Sequence, residues 1–325
     1  MPKPQQIAHR GGSGLRPENT IDAFTHAMDV GADGIEIDVH LTRDGVAVVH
    51  HDESLKPAIA RGPDGQWLTR PTPLIKSLTY AELRHYDIGR LRPGAGYSAR
   101  YPEQTPIDGA SVPRLEDVYH VVSSHAKKPF HVYVELKTSL LDLSQSADPV
   151  ALAEEVVRLT RQMGQERRVT FVSFDWRALA HAKKLAVSLK EIAPEIKNAF
   201  TTNLFVALDP EHPSALNDKP GSEDAAIRAA SANGAPWAAG FDWRNQTGPD
   251  FATKMLKAMG GAPADGWFAW HGDVTAETVK LARERQMSVS CWTVDEPDEM
   301  RRLIDLGVDA ILTDRPDRLK TTLET

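Results

Sequence analysis

Apolar and polar positions alternate from Gly34 onward, and the chain then turns back on itself. Over 35–41 an expected strand puts Ile35, Ile37 and Val39 on one face and Glu36, Asp38 and His40 on the other. Asp44-Gly45 supplies the positive backbone angles of a tight hairpin turn, and a second strand over 46–50 leads into His50-His51-Asp52. Upstream, a short strand over 7–9 runs into His9-Arg10-Gly11-Gly12. Pro17-Glu18-Asn19-Thr20 then opens a helix that Asn19 or Thr20 can cap, with Phe24 and Met28 on its apolar stripe and Gly31 at its end.

Downstream the same alternation of elements recurs. The pattern predicts helices from Leu115 to about 124 and over 149–163, 176–186, 276–285 and 298–306. Strands are expected over 131–137, 168–174, 187–193, 287–294 and 310–313, with 237–243 and 266–272 as further strand candidates. Within 131–137, Glu135 and Lys137 share a face, opposite Val134 and Leu136. Residues 53–117 differ: they are rich in Pro, Gly and Arg, with one helical piece over 78–86. So long an irregular excursion in a compact domain is commonly functional, and it is read as a cap beside the site within one domain spanning 1–325. A faint echo joins 29–39 and 305–315: helix end, Gly, one acid, then a buried strand ending in Asp. Helices alternating with about eight strands beyond the hairpin partner favour a (β/α)8 TIM barrel over an open doubly wound sheet. No GxGxxG follows a strand and no GxxxxGK[ST] occurs, which weakens a nucleotide-binding reading.

Composition narrows the chemistry. A formal net charge of -7 argues against general nucleic-acid binding, although a bound cation and local Lys or Arg can still receive a phosphate. The single cysteine, Cys291, excludes an intramolecular disulfide and a cysteine-built metal site, and its apolar surroundings make it a small core residue. No apolar run approaches the roughly 18 residues of a membrane span, and the start lacks an apolar signal core. A cytoplasmic protein is expected, or an exported one if a signal was removed, acting as a monomer or small homo-oligomer on a small molecule.

In a barrel of this kind function gathers at the carboxyl ends of the strands. Glu36, Asp38 and Glu135 form an all-oxygen set of the kind Mg2+ or Ca2+ prefers. His9 and His51 are suited to general acid and base work near neutral pH. Arg10 and Lys137 are cations suited to a phosphate, and Trp292 is expected at the pocket wall. His50 and His51 point to opposite faces, so only one can enter the site. Glu18 either serves the helix dipole or orients a neighbour in the site. Asp314 reads as a turn residue, and His271 as a partly buried structural histidine.

HRG with PENT (9–11, 17–20), EIDVHLTRDG with VVHHD (36–45, 48–52), VELK (134–137), SFD (173–175), WTV (292–294) and GVDAILTDRP (307–316) together resemble the glycerophosphodiester phosphodiesterase family. The motifs keep their order across residues 7 to 316. The resemblance implies a TIM barrel that uses a divalent ion to cleave diesters such as glycerophosphocholine or glycerophosphoethanolamine into glycerol 3-phosphate and an alcohol. It implies Glu36, Asp38 and Glu135 as metal ligands, His9 and His51 as the acid–base pair, and Arg10 and Lys137 as phosphate contacts. It also selects His51 over His50. The chain departs from the family pattern after Asp52, where the longer 53–117 segment replaces a basic, threonine-rich one; that bears on which alcohol is released. Two rival readings are a lysophospholipase D-like activity on the same barrel and a non-catalytic barrel that captures phosphate esters. The first calls for an apolar mouth, which the polar 53–117 segment does not offer.

Overall fold

The computed structural model describes residues 2–188, 196–202 and 205–324. Among these residues nine strands form one sheet: β1 (Gln5–Ala8), β2 (Gly34–Leu41), β3 (Ala47–Val49), β4 (His131–Leu136), β5 (Val169–Ser173), β6 (Lys197–Thr201), β7 (Gly266–Trp270), β8 (Ser288–Trp292) and β9 (Ala310–Thr313). β1 pairs in parallel with both β9 and β2, so eight parallel strands close into a barrel, and β3 hangs antiparallel from β2. Helices α1 (Ile21–Asp29), α2 (Tyr80–Leu83), α3 (Leu115–His125), α4 (Pro149–Gln162), α5 (Trp176–Ser188), α6 (Phe205–Leu208), α7 (Glu223–Ala232), α8 (Phe251–Gly261), α9 (Ala276–Arg283), α10 (Pro297–Leu306) and α11 (Pro316–Glu324) fill the connections. The protein is a (β/α)8 TIM barrel.

Strand alternation divides the side chains between two cores. Ile35, Ile37, Val39, Val132, Val134 and Leu136 face outward and pack under the helices. Ile7, Tyr133, Val172, Ala199, Phe268, Ala310 and Leu312 plug the barrel interior. Glu36, Asp38 and Glu135 have the inward parity: Glu36 stands level with Tyr133 of that plug, and Asp38 and Glu135 one step above it. Residues 53–117 build a small core of their own: Leu55, Ala60, Ile75, Leu78, Leu83, Ile88 and Val112 bury against Val48 of β3. That apolar contact fixes the excursion to the hairpin.

Four local expectations need correction. The hairpin's return strand is only Ala47–Val49: one further bond in register, from the His50 N–H to the Asp38 carbonyl at 2.9 Å, follows it, while the Val49 N–H turns outward to the Pro113 carbonyl at 2.8 Å. The helical piece at 78–86 shrinks to α2, fixed by a reciprocal Thr79–Glu82 capping box. Of the strand expected over 187–193, residues 187 and 188 end α5 and the rest lie outside the described residues; the strand of this unit is β6. The candidate at 237–243 is no strand. Ala235 and Ala239 take positive φ there (44° and 53°), and the segment forms short 3-10 turns, Pro236–Ala238 and Trp243–Asn245. Its Trp243 packs edge to face on Phe251, centroids 5.0 Å apart. Cys291 is buried, as its surroundings suggested. No helix among the described residues is long and apolar enough to cross a membrane.

Candidate active site

Parallel register builds the acidic cluster. Asp38 of β2 stands directly opposite Glu135 of β4, and Glu36 lies two residues back on the same inward face. Ligand oxygens of Glu36, Asp38 and Glu135 all come within 4.8 Å of one another, and all three residues are buried. Among the described residues they form the one such group of three or more His, Cys, Asp or Glu side chains.

Three buried carboxylates so close repel one another, and their proton affinities show it. Burial, and after it the Asp38 charge, pushes the Glu36 carboxyl up to about 8. Burial raises Glu135 as well, against the opposing pull of Lys137. For Asp38 burial is outweighed by Lys137 and then Arg10, which hold it well below the usual carboxylate range. Lys137 Nζ lies 3.1 Å from Asp38 Oδ1 and 3.0 Å from Glu135 Oε1. Asp38 Oδ1 and Arg10 Nε, both buried, make no hydrogen bond and meet a partner only as ion pairs, Oδ1 with Lys137 Nζ and Nε with Asp38 Oδ2 at 3.3 Å. The first suits a cation and the second an anionic oxygen, so an all-oxygen donor set with residual negative charge fits a hard divalent ion.

The two histidines flank this cluster. His9 follows β1 in a tight turn where Arg10 adopts φ 50°, a strained conformation for a side-chain-bearing residue. The turn is held because the Arg10 N–H donates to Glu36 Oε2 (3.1 Å) and the Arg10 carbonyl accepts from the Asn19 N–H (2.9 Å). His9 Nδ1 donates to Asp314 Oδ1 at 2.7 Å, and Nε2 lies 3.8 Å from Glu36 Oε2. Burial alone would lower the His9 pKa, but Asp314 reverses it and leaves it raised. His51 is held similarly: Nδ1 donates to Asp52 Oδ1 at 3.0 Å, and Lys56 Nζ sits 2.9 Å from Asp52 Oδ2. His40 Nε2–H donates to the His51 carbonyl at 3.2 Å. Burial, and after it Lys137 and Arg10, push His51 down to about 4, while its side chain keeps 33% exposure to solvent. In both rings the anchored Nδ1 leaves Nε2 as the atom free for proton transfer.

His9, Arg10, Glu18 and His51 line one cavity of about 430 Å³. His51 and Asp52 also line an adjoining one of about 200 Å³, walled by Glu135, Lys137, Leu140, Leu141, Phe174 and Ile227. Trp292 lines neither; it stands behind Phe174, rings edge to face at 5.6 Å. His50 is 1% exposed and turned away, both ring nitrogens unpartnered. His271 instead pairs with Glu299 at 2.6 Å. A roomier cavity of about 650 Å³ opens at the opposite, amino end of the strands and holds none of these residues.

Several participants were only partly legible in the sequence or not at all. Asp314 is a partner of His9 rather than a bare turn residue. Asn19 is not the helix cap, which is Thr20; at φ 57° its side chain donates to Asp38 Oδ2 at 2.8 Å. Glu18 orients a neighbour, since its Oε1 accepts from Arg10 Nη1 at 3.0 Å. Tyr97 and Tyr101, from the excursion, reach the site and had no motif to announce them.

Comparison with known proteins agrees with this geometry. The model of the Glycerophosphoryl diester phosphodiesterase family matches residues 9–318. The chain is 29% identical over 312 residues to a glycerophosphodiester phosphodiesterase of Bacillus altitudinis, covering 96% of this chain and 95% of that one. A solved structure from Silicibacter pomeroyi, assigned to the same activity, superposes with TM-score 0.79 at 28% identity and covers 100% of this chain and 94% of its own. An Oleispira antarctica phosphodiesterase in complex with its product sn-glycerol-3-phosphate shares the fold, with TM-score 0.63 at 21% identity over 99% and 98% of the two chains.

Proposed function

The chain belongs to the glycerophosphoryl diester phosphodiesterase family and is a phosphoric diester hydrolase, and on that footing we propose that it cleaves glycerophosphodiesters into glycerol 3-phosphate and an alcohol. One observation carries the reading: acids from two separate strands converge on one point, and His9 and His51 line a single cavity beside it. Glu36, Asp38 and Glu135 would hold one divalent cation, Mg2+ or Ca2+, which when bound draws charge from a phosphoryl oxygen. Arg10 and Lys137 bind the phosphate, and Trp292 braces the Phe174 wall. Residues 53–117 form a cap on the polar side.

One histidine removes the proton of the glycerol 2-hydroxyl while that oxygen bonds to phosphorus. The other protonates the alcohol oxygen as its bond to phosphorus breaks. Water then opens the cyclic phosphate: the histidine that gave its proton now takes one from water, and its partner returns a proton to the 2-oxygen. A panel of glycerophosphodiesters, assayed for glycerol 3-phosphate with EDTA and then with Mg2+ or Ca2+ restored, tests this. Cation-dependent release is expected; no release from any member would overturn it.

A second reading, action on an acyl-bearing lysophospholipid, has one observation in its favour. The apolar wall that 53–117 lacks comes instead from the segment after β4, where Leu140 and Leu141 line the smaller cavity and Leu141 and Leu143 are 43% and 44% exposed. Assaying glycerophosphocholine beside lysophosphatidylcholine separates the two.

A further inference from the structure

Two carboxylates grip the site's cationic side chains from behind, and each has its second oxygen filled by a tyrosine of the excursion. Glu18 binds Arg10 through Oε1, while Oε2 accepts from the Tyr97 hydroxyl. Asp314 binds His9 through Oδ1, while Oδ2 accepts from the Tyr101 hydroxyl at 3.0 Å. These are parallel chains, tyrosine to carboxylate to site cation, and the tyrosines join them. Their rings meet edge to face with centroids 5.4 Å apart, and the Arg100 guanidinium lies 5.5 Å from one and 5.6 Å from the other. Burial raises both phenols above their ordinary value, so each stays protonated and donates.

The segment carrying the tyrosines is tied to the barrel on its far side. Gln104 donates to the Ser13 carbonyl at 2.7 Å, the Thr105 N–H to the Leu15 carbonyl at 3.0 Å, and Arg315 makes two bonds to Glu103 at 2.9 and 3.0 Å. A carboxylate fixed at one oxygen can still pivot about that contact. Fixed at both, it sets the direction of the group it holds, as partners behind a ligand do elsewhere.

We propose that Tyr97 and Tyr101 are positioning residues for hydrolysis, Tyr97 acting on Arg10 through Glu18 and Tyr101 acting on His9 through Asp314. The inference rests on the roles given above to Arg10 and His9. It assigns the excursion a part in the reaction and divides that part by target. A phosphate contact is made in ground and transition states alike, so loosening Arg10 raises KM. Proton transfer occurs only in the transition state, so loosening His9 lowers kcat.

Tyr97→Phe and Tyr101→Phe test this, because each keeps its ring in the aromatic pair and loses one hydrogen bond to a charged group. With a glycerophosphodiester, Tyr97→Phe should raise KM about 5-fold with kcat within about 2-fold. Tyr101→Phe should lower kcat about 10-fold with KM within about 2-fold. A shared change in one parameter, or a lowered melting temperature with both kinetic constants intact, would overturn the proposal. A second readout needs no substrate: in 15N-histidine spectra the His9 ring signals should move in Tyr101→Phe and hold in Tyr97→Phe. Were the enzyme to cleave no glycerophosphodiester while those signals still moved as stated, the substrate reading would fail and the Tyr101 positioning would stand. Unmoved signals in Tyr101→Phe would sink it on any substrate.

Discussion

Glu36→Gln should stabilise the cation-free protein at alkaline pH while removing most of the stabilisation a divalent cation gives. Glu36 is 2% exposed, and its carboxyl is pushed from 4.5 up to about 8 by burial and then by Asp38. The folded protein therefore keeps this proton to higher pH than the unfolded chain does. Between 4.5 and about 8 the folded state binds more protons, so cation-free stability falls as pH rises through that window. At about 1.4 kcal/mol per pH unit the full span is worth roughly 5 kcal/mol. For a chain of 325 residues that is about 7 °C in melting temperature. Glutamine cannot ionise, and its side-chain oxygen can still accept from the Arg10 N–H that Glu36 receives at 3.1 Å. The assay is thermal melting of wild type and variant in EDTA at pH about 5 and about 8.5, then with Mg2+ or Ca2+. Taking the difference between the proteins cancels the titrating groups remote from Glu36 and leaves Glu36 with the neighbours it interacts with, Asp38, His9 and Glu135. Between pH about 5 and about 8.5, which captures about 4 kcal/mol of that span, the variant should gain on wild type by about 5–6 °C in EDTA. A cation at about 100 times its Kd should stabilise wild type by about 2.7 kcal/mol, and the variant far less. A pH-independent difference, or equal stabilisation of both by the cation, would refute the reasoning.

Other perturbations probe the frame around the site. His50 is buried with unpartnered nitrogens, and burial pushes it down to about 4. Stability from keeping it neutral is complete above pH about 6.5 and lost as pH falls toward 4, up to about 3 kcal/mol. His50→Leu should flatten that acid limb in urea melts between pH about 7 and about 4.5; an unchanged slope would contradict the account. Gly11 has φ +86°, and a Cβ there would lie 2.7 Å from the Ala23 Cβ and 2.9 Å from Phe24 Cδ1. Gly11→Ala should cost about 2–4 kcal/mol in urea melts and, by shifting the His9-Arg10 turn, lower kcat/KM even where the variant is fully folded.

What the sequence disclosed was whatever repeats with a short period. Alternation put Glu36 and Asp38 on one face and Glu135 with Lys137 on another, and parallel register then brought Asp38 and Glu135 side by side. The partners behind them carry no such mark. Asp314 meets His9 across 305 positions and Tyr101 across 213, so only closure of the barrel unites them. Asn19 looked like a helix cap because its chemistry suits one; its positive φ and its bond to Asp38 belong to the tertiary fold. β6, KNAFT, opens with a polar pair, so its strand signal is weaker than that of the more apolar stretch before it. At 237–243 the apolar residues serve ring packing between turns, a pattern that mimics a strand.

The most direct measurement is turnover of one glycerophosphodiester by wild type, His9→Ala and His51→Ala at saturating divalent cation. Each variant should release glycerol 3-phosphate at least about 100-fold more slowly. If either alanine protein keeps near wild-type turnover, the pair of imidazoles facing the acidic cluster is not what breaks the ester.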